Sequence, residues 1–124
     1  MIDRKLYKYI VEKLAQSDLD LEAEHGENTL HWVLKIKPDA SLALQIAALG
    51  HDIERSRSNR YKSGDFEDHA EYKRLHSEKG AEMLGNIMQD FDFEKDLINE
   101  VKELVRLHEV GGTEDADVLQ DADS

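Results

Sequence analysis

Apolar residues recur three and four positions apart along almost the whole of this chain, and Pro38 is its only proline. That spacing lines up apolar side chains on one face of a helix, whereas few runs show the alternation of a half-buried strand. A chain of 124 residues suffices for one domain and is too short for two of typical size. The pattern therefore predicts an all-α fold, a compact single-domain bundle of about six helices over residues 1–124.

The helices are predicted from apolar stripes and from the residues that end them. They cover about residues 3–16, 23–36, 40–49, 67–89 and 94–109, and a sixth begins near Ala116. The second must stop before Pro38, because a residue that precedes proline is pushed out of helical geometry. The third is apolar nearly all round, so we expect it to be buried at the centre. The polar segment 54–68 is typical of a surface loop.

Composition narrows the choice of partners and ligands. The chain has 28 acidic and 16 basic residues, and its net charge of −12 opposes non-specific binding to nucleic acid or to an anionic membrane. No uncharged run approaches the roughly 20 apolar residues of a spanning helix, and no amino-terminal signal is visible. The absence of cysteine excludes thiolate ligands and nucleophiles and fits a cytoplasmic protein. Any metal must be bound by His, Asp or Glu.

The six histidines can be assigned to helix faces from the helical rotation of about 100° per residue. His76 and His69 fall on the apolar side of the fourth helix, and His108 falls on the apolar side of the fifth. On the second helix His25 lies beside the apolar arc, whereas His31 lies almost opposite to it. We therefore expect His25, His69, His76 and His108 to point inward, and we exclude His31 as a candidate ligand.

The remaining histidine, His51, is followed by Asp52, and both come directly after the buried third helix. A buried carboxylate needs a cation or several hydrogen bonds to stay ionised, and a bound metal supplies the cation. A single inward histidine is more often a hydrogen-bonded core residue, and an aspartate at a helix end is usually a cap. Several inward histidines together with a buried His-Asp pair favour a metal centre instead.

The segment IAALGHDI at residues 46–53 resembles the HD superfamily of metal-dependent phosphohydrolases, which is named after the adjacent His51 and Asp52. The resemblance implies that an earlier histidine and an aspartate near the end of the domain also bind metal. His25 and Asp123 occupy those positions, and His25 precedes His51 by a familiar interval of 26 residues. Asp121 competes with Asp123, but only Asp123 shares a predicted helix face with Leu119.

Members of that superfamily with two metals carry two further histidines between the pair and the last aspartate, and His76 and His108 stand there in this chain. The order His, His-Asp, His, His, Asp is similar to that of the binuclear branch, which implies that Asp52 bridges two ions. Imidazole and carboxylate ligands suit divalent transition metals, namely Mn, Fe, Co, Ni or Zn.

The resemblance implies a reaction in which two metals activate a water that hydrolyses a phosphoester of a nucleotide or a small phosphorylated metabolite. Arg55 stands where many relatives carry a lysine that meets the substrate phosphate, and Arg57, Arg60 and Lys62 extend a basic cluster that is either a phosphate site or a solvated loop. Lys79 lies one turn beyond His76. The expected catalytic residues are Asp52, Arg55 and Lys79, and the expected substrate-binding residues are Arg55, Arg57, His69 and Lys79.

Other interpretations stay open at this stage. His69 is a substrate contact, a donor to a ligand, or an ordinary helix residue. The same ligand order occurs in di-iron oxygenases of that superfamily, and a non-catalytic domain for nucleotide sensing or interaction is a further alternative. A homo-oligomer is compatible with the sequence. The family normally continues its helix beyond the last ligand, so we expect the domain to be truncated at its C-terminus.

Overall fold

A computed structural model describes residues 2–123, and six α-helices and no strand lie in that part of the chain. The helices are α1 (Arg4–Leu14), α2 (Glu22–Ile36), α3 (Leu42–Gly50), α4 (His69–Asp90), α5 (Lys95–Leu107) and α6 (Glu114–Asp123). Two short 3₁₀ helices, Ile53–Ser56 and Ser63–Asp65, join α3 to α4. The all-α prediction is confirmed. None of the helices within 2–123 has the length and apolar character that crossing a membrane requires.

The helix α3 lies at the centre of the bundle and packs against α1, α2, α5 and α6. Seven of its nine residues are buried, and burial of each leucine or isoleucine side chain stabilises the fold by about 1.5–3 kcal/mol. The Ser41 hydroxyl caps its first turn by accepting a hydrogen bond from the Leu44 amide at 3.1 Å. Because α3 is surrounded on every side, the residues that follow its last turn are delivered into the interior.

The helices α2 and α3 approach each other closely at Gly26. A Cβ atom at that position would lie 2.5 Å from the carbonyl oxygen of Leu49, a distance that real Cβ atoms do not show. The absence of a side chain therefore lets the α2 backbone rest on the last turn of α3. This contact places His25, the neighbour of Gly26, beside the end of α3. As predicted, α2 ends at Ile36, ahead of Pro38.

The C-terminal part of the chain returns to α2. The helices α4 and α5 form the largest packed pair, and after α5 the chain turns through Gly111 and Gly112, whose φ angles of 72° and 113° favour glycine. The helix α6 then packs against α2 and α3. Its first turn is fixed by the Thr113 hydroxyl, which accepts a hydrogen bond from the Ala116 amide at 3.1 Å.

The segment 54–68 differs from its prediction at its beginning. The predicted surface loop starts instead as a 3₁₀ turn in which Ile53, Glu54 and Ser56 are buried. Glu54 is fully buried because hydrogen-bond donors from other parts of the chain surround its carboxylate. The residues from Ser58 to Asp68 are exposed or half-buried, as expected of a loop.

Candidate metal centre

Five helices or helix ends contribute side chains to one buried cluster. His25 comes from α2, His51 and Asp52 follow α3, and His76 comes from α4. The chain also brings to it the first residue after α5 and the last residue of α6, which are His108 and Asp123. These six residues are the ones predicted above as metal ligands, and their ligand atoms fall into overlapping groups that could hold metal ions.

The first group contains His25, His51, Asp52 and Asp123. The Oδ1 atom of Asp123 lies 2.8 Å from Nε2 of His25 and 3.0 Å from Nε2 of His51. The Oδ2 atom of Asp52 lies 3.5 Å from the first of these nitrogens and 3.2 Å from the second. Two imidazole nitrogens and two carboxylate oxygens therefore converge on one small volume.

The second group contains Asp52, His76 and His108. Here the other carboxylate oxygen of Asp52, Oδ1, lies 2.8 Å from Nε2 of His76 and 3.9 Å from Nε2 of His108. The two oxygens of one carboxylate thus face different imidazoles: Oδ2 faces those of His25 and His51, and Oδ1 faces those of His76 and His108. Asp52 therefore belongs to both groups.

Hydrogen bonds fix the direction of three of the imidazole rings. Each ring uses Nδ1 toward an acceptor outside the cluster, so that Nε2 is the nitrogen that faces the cluster. The nitrogen and acceptor atoms lie 2.9, 2.6 and 2.9 Å apart in the pairs His51–Ala48 carbonyl, His108–Val105 carbonyl and His76–Glu54 carboxylate. The rings are therefore held in the orientation that metal binding through Nε2 requires.

One buried atom tests whether the cluster fits a metal. Nε2 of His108 is buried and has no well-aligned hydrogen-bond partner among residues 2–123, with Oε1 of Glu109 3.4 Å away, and a buried polar atom left without a hydrogen bond costs about 1–3 kcal/mol. A cation bound to that nitrogen removes this cost. Nitrogen and oxygen donors in two groups joined by one carboxylate suit first-row transition metals. The residues present therefore fit one or more metal ions, whose identity the donor set does not select.

Without metal, the cluster is an array of coupled charges. Burial lowers the pKa of His51, but the carboxylates of Asp52 and Asp123 outweigh burial and raise that pKa well above its ordinary value. Burial also lowers the pKa of His76, yet its hydrogen bonds to Asp52 and Glu54 raise it to about 9. Burial raises the pKa of Asp52, and the neighbouring His51 and His76 bring it well below its usual range. Metal binding must therefore displace protons.

Arg55 is the basic side chain at this cluster. Its Nη1 atom lies 3.4 Å from Oδ2 of Asp52 and 3.3 Å from Oε1 of Glu22, and its side chain is 32% exposed. Burial lowers the pKa of Arg55, but these two carboxylates outweigh it and raise the pKa above its ordinary value. The guanidinium therefore stays charged, with one side toward the cluster and part of its surface open to solvent.

The other predicted basic residues engage acidic partners elsewhere. Arg57 donates from Nε to Oε2 of Glu54 at 3.1 Å, and Arg60 donates to Asp18 at 2.8 Å. Lys79 lies 3.3 Å from Glu82 on the outer side of α4. Arg57 and Lys79 are thus paired with carboxylates that are not members of the two groups containing Asp52.

His69 is exposed, and the prediction that it points inward is wrong. It is the first residue of α4, where the helix has not yet packed against its neighbours. Its ring stacks instead on Tyr72, with centroids 5.7 Å apart. His31 is exposed, as predicted. Asp121 is exposed, whereas Asp123 is half-buried at the cluster.

Two carboxylates near the cluster were not predicted. Glu54 binds His76, and Glu109 has its Oε1 atom 3.4 Å from Nε2 of His108. The group His108, Glu109 and Asp123 is a third set whose ligand atoms converge. Both glutamates lie within two residues of a predicted ligand, and this proximity was the available signal. It is weak, because most glutamates at helix ends are solvated.

Comparison with known proteins gives a family for the chain. Residues 10–124 match the family described as a domain of unknown function, DUF4202. A search of curated proteins and a search of solved structures gave no match. The matched region contains all six residues of the cluster. With this match over most of its length, the chain belongs to the DUF4202 family.

Proposed function

We propose that this protein is a metal-dependent phosphohydrolase that cleaves a phosphoester of a nucleotide or a small phosphorylated metabolite at a centre of two divalent transition metals. The observation that carries the proposal is the carboxylate of Asp52, whose Oδ2 and Oδ1 atoms face two separate imidazole groups. The order of the ligands along the chain, which resembles that of the HD superfamily, supports the same reaction.

The residues divide naturally between two ions. The first would be held by His25, His51, Asp52 and Asp123, and the second by Asp52, His76 and His108. Two such ions would supply a water of lowered pKa and positive charge that stabilises the phosphoryl oxygens. The protein's part is to fix the ligand geometry, which the Nδ1 hydrogen bonds of three rings accomplish.

Arg55 is proposed to bind the phosphate of the substrate. A guanidinium can hold two phosphate oxygens at once, with charge-assisted hydrogen bonds stronger than neutral ones. Its contact with Glu22 would hold the side chain beside the centre when a metal ion competes for Asp52. The substrate would approach on the side of His25, whose side chain is 36% exposed, whereas those of His51 and His108 are fully buried.

The proposal is tested by metal content and hydrolysis measured on the same samples. The wild-type protein, purified without a histidine tag, is expected to contain two equivalents of transition metal and to hydrolyse at least one member of a phosphoester panel. The double variant His51→Ala, Asp52→Ala should lose both the metal and the activity. The matched control is His31→Ala, since that ring is exposed on α2 and outside the cluster; it should keep both.

Each contrary outcome has a different meaning. Protein that binds no metal after reconstitution with Mn, Fe and Ni would refute the metal centre. Protein that binds two ions and hydrolyses no phosphoester would refute the hydrolase. Iron at both positions with oxygen consumption, measured by comparing aerobic and anaerobic reactions, would replace the hydrolase with an oxygenase.

A further inference from the structure

Glu54 is a fully buried carboxylate that the proposed mechanism does not use. It lies in the 3₁₀ turn two residues after Asp52, and its exposed fraction is 0%. Its Oε1 atom accepts a hydrogen bond from Nδ1 of His76 at 2.9 Å. Its Oε2 atom accepts from the backbone amide of Tyr61 at 2.9 Å and from Nε of Arg57 at 3.1 Å. Burying a carboxylate costs several kcal/mol of folding free energy unless such partners compensate it. The burial of Glu54 therefore depends on these three donors.

Each of these partners donates a hydrogen bond. Both terminal atoms of the side chain at position 54 must therefore be acceptors. A glutamine of the same shape offers one acceptor oxygen and one donor amide. In either orientation of the glutamine side chain, its NH₂ group, which can only donate, would face another donor. That donor would be Nδ1 of His76 or the N–H groups of Arg57 and Tyr61. The position therefore requires a carboxylate and not only a side chain of this size.

The contact determines which nitrogen of His76 is available to the cluster. Because Nδ1 donates to Glu54, Nε2, which faces Asp52 at 2.8 Å, is the nitrogen that gives up its proton and offers its lone pair when a metal binds. Without that acceptor, the neutral ring can carry its hydrogen on Nε2 instead. Nε2 then has no lone pair with which to bind a metal. Tyr72 stacks on the same ring, with centroids 5.9 Å apart and an angle of 14° between the planes, so the ring plane is held as well.

We infer that Glu54 is a positioning residue that fixes His76 as a ligand of the second ion, and that Arg57 and Tyr61 hold Glu54 in place for this task. The inference rests on the two-ion centre proposed above. It gives Arg57 a role different from the predicted phosphate contact, because its guanidinium stabilises a buried carboxylate behind the metal ligand. It also links the segment between α3 and α4 to the affinity of one ion.

The test is a titration of metal-depleted protein with Zn²⁺ that resolves the two binding steps. In Glu54→Gln, the affinity for the second ion is expected to fall on the order of 10- to 100-fold, the usual effect of losing a partner behind a metal ligand. The affinity for the first ion should change by less than about threefold, since the hydrogen bonds of Glu54 go to His76, Arg57 and Tyr61 and to none of its four ligands. Asp18→Asn is the control, because Asp18 also pairs with an arginine of this segment, Arg60 at 2.8 Å, but belongs to no group of the cluster; both affinities should be retained.

A second readout separates positioning from general stability. In the zinc-loaded wild type, the Nδ1–H proton of His76 should appear in the NMR spectrum as a slowly exchanging signal, and in Glu54→Gln it should exchange with water at least tenfold faster. An unchanged signal, or equal loss of both ions, would overturn the inference. If Glu54→Gln does not fold, Glu54→Asp carries the same measurement, because its shorter side chain cannot reach both sets of donors.

The outcomes also separate this inference from the proposed function. Two ions bound with unchanged affinity in Glu54→Gln would overturn the role of Glu54 alone and leave the two-ion centre intact. A wild-type protein that binds fewer than two Zn²⁺ ions would overturn the two-ion centre and, with it, the assignment of His76.

Discussion

The chemistry proposed for this molecule depends first on single residues, and Asp52 is the most important of them. Its two carboxylate oxygens lie against different imidazoles, at 3.2 Å from His51 and at 2.8 Å from His76. Asp52 was predicted from its place after a buried helix, and so was His51. Glu54 was not predicted, because its burial depends on donors that the chain brings from α4 and from the segment beyond Ser56.

A pH dependence follows from His76 in the metal-free protein. Burial lowers its pKa, but the hydrogen bonds to Asp52 and Glu54 raise it to about 9, against about 6.5 in the unfolded chain. The folded protein therefore favours the protonated ring. The resulting stabilisation is fully present below about pH 6.5 and is lost as the pH rises through about 9.

The measurement compares the free energy of unfolding of metal-depleted wild type and His76→Gln across this range. The wild type should exceed the variant by more at pH 6 than at pH 9, by roughly 1–3 kcal/mol. A difference that is the same at both values would contradict the prediction. In the presence of metal the trend should reverse, since the ion competes with protons and binds more tightly as the pH rises.

At the scale of the elements, the helices could be predicted because each carries an apolar stripe and a recognisable end. Residue 36 ends α2 as Pro38 requires, and α3 is buried all round as its composition indicates. The 3₁₀ turn Ile53–Ser56 could not be predicted, because it is too short to have a periodicity and its burial comes from tertiary contacts. The prediction that His69 points inward was wrong because burial again depends on tertiary contacts. His69 lies in the first turn of α4, where no neighbouring element covers its side chain.

The contact between α2 and α3 predicts the effect of Gly26→Ala. The new Cβ atom would lie 2.5 Å from the Leu49 carbonyl, so α2 must move away from the helix end that carries His51. We expect a loss of about 1–3 kcal/mol in the free energy of unfolding and a weaker first metal site. Chemical denaturation and metal titration measure the two effects.

Gly64→Ala is the control for this substitution. Nothing lies within 4 Å of a Cβ atom at Gly64, and its φ angle does not require glycine. The same mutation there should leave both stability and metal affinity unchanged within about 0.5 kcal/mol. If Gly26→Ala behaves like Gly64→Ala, the close approach of α2 and α3 does not constrain the site.

At the scale of the whole molecule, the cluster joins parts of the chain that are distant in sequence. Its ligands come from α2, α4, α6 and the ends of α3 and α5, so two bound ions would together crosslink most of the bundle. The composition alone showed that such a site must use histidine and carboxylates. The order of the ligands along the chain was predicted from the resemblance. The structure shows that Asp52 is a member of both groups.

Metal removal should therefore lower the thermal stability of the entire domain. At a free metal concentration of 100 times the Kd, binding to the folded state alone stabilises it by about 2.7 kcal/mol, which raises Tm by on the order of 10 °C in a domain of this size. Calorimetry with and without EDTA measures the shift. The double variant His51→Ala, Asp52→Ala should show no response to EDTA, and a wild type that is equally indifferent would contradict the prediction.

The contact between His25 and Asp123 has a consequence for how the molecule is made. These residues are 98 positions apart along the chain, and their ligand atoms lie 2.8 Å apart. At the usual pace of about 5–20 residues per second, the ribosome adds Asp123 roughly 5–20 s after His25. Until α6 emerges and packs against α2, the nascent chain offers only part of the ligand set for the first ion. The full set therefore exists only after α6 has been synthesised, and an ion that needs all four ligands would bind the folded helices rather than a shorter nascent chain.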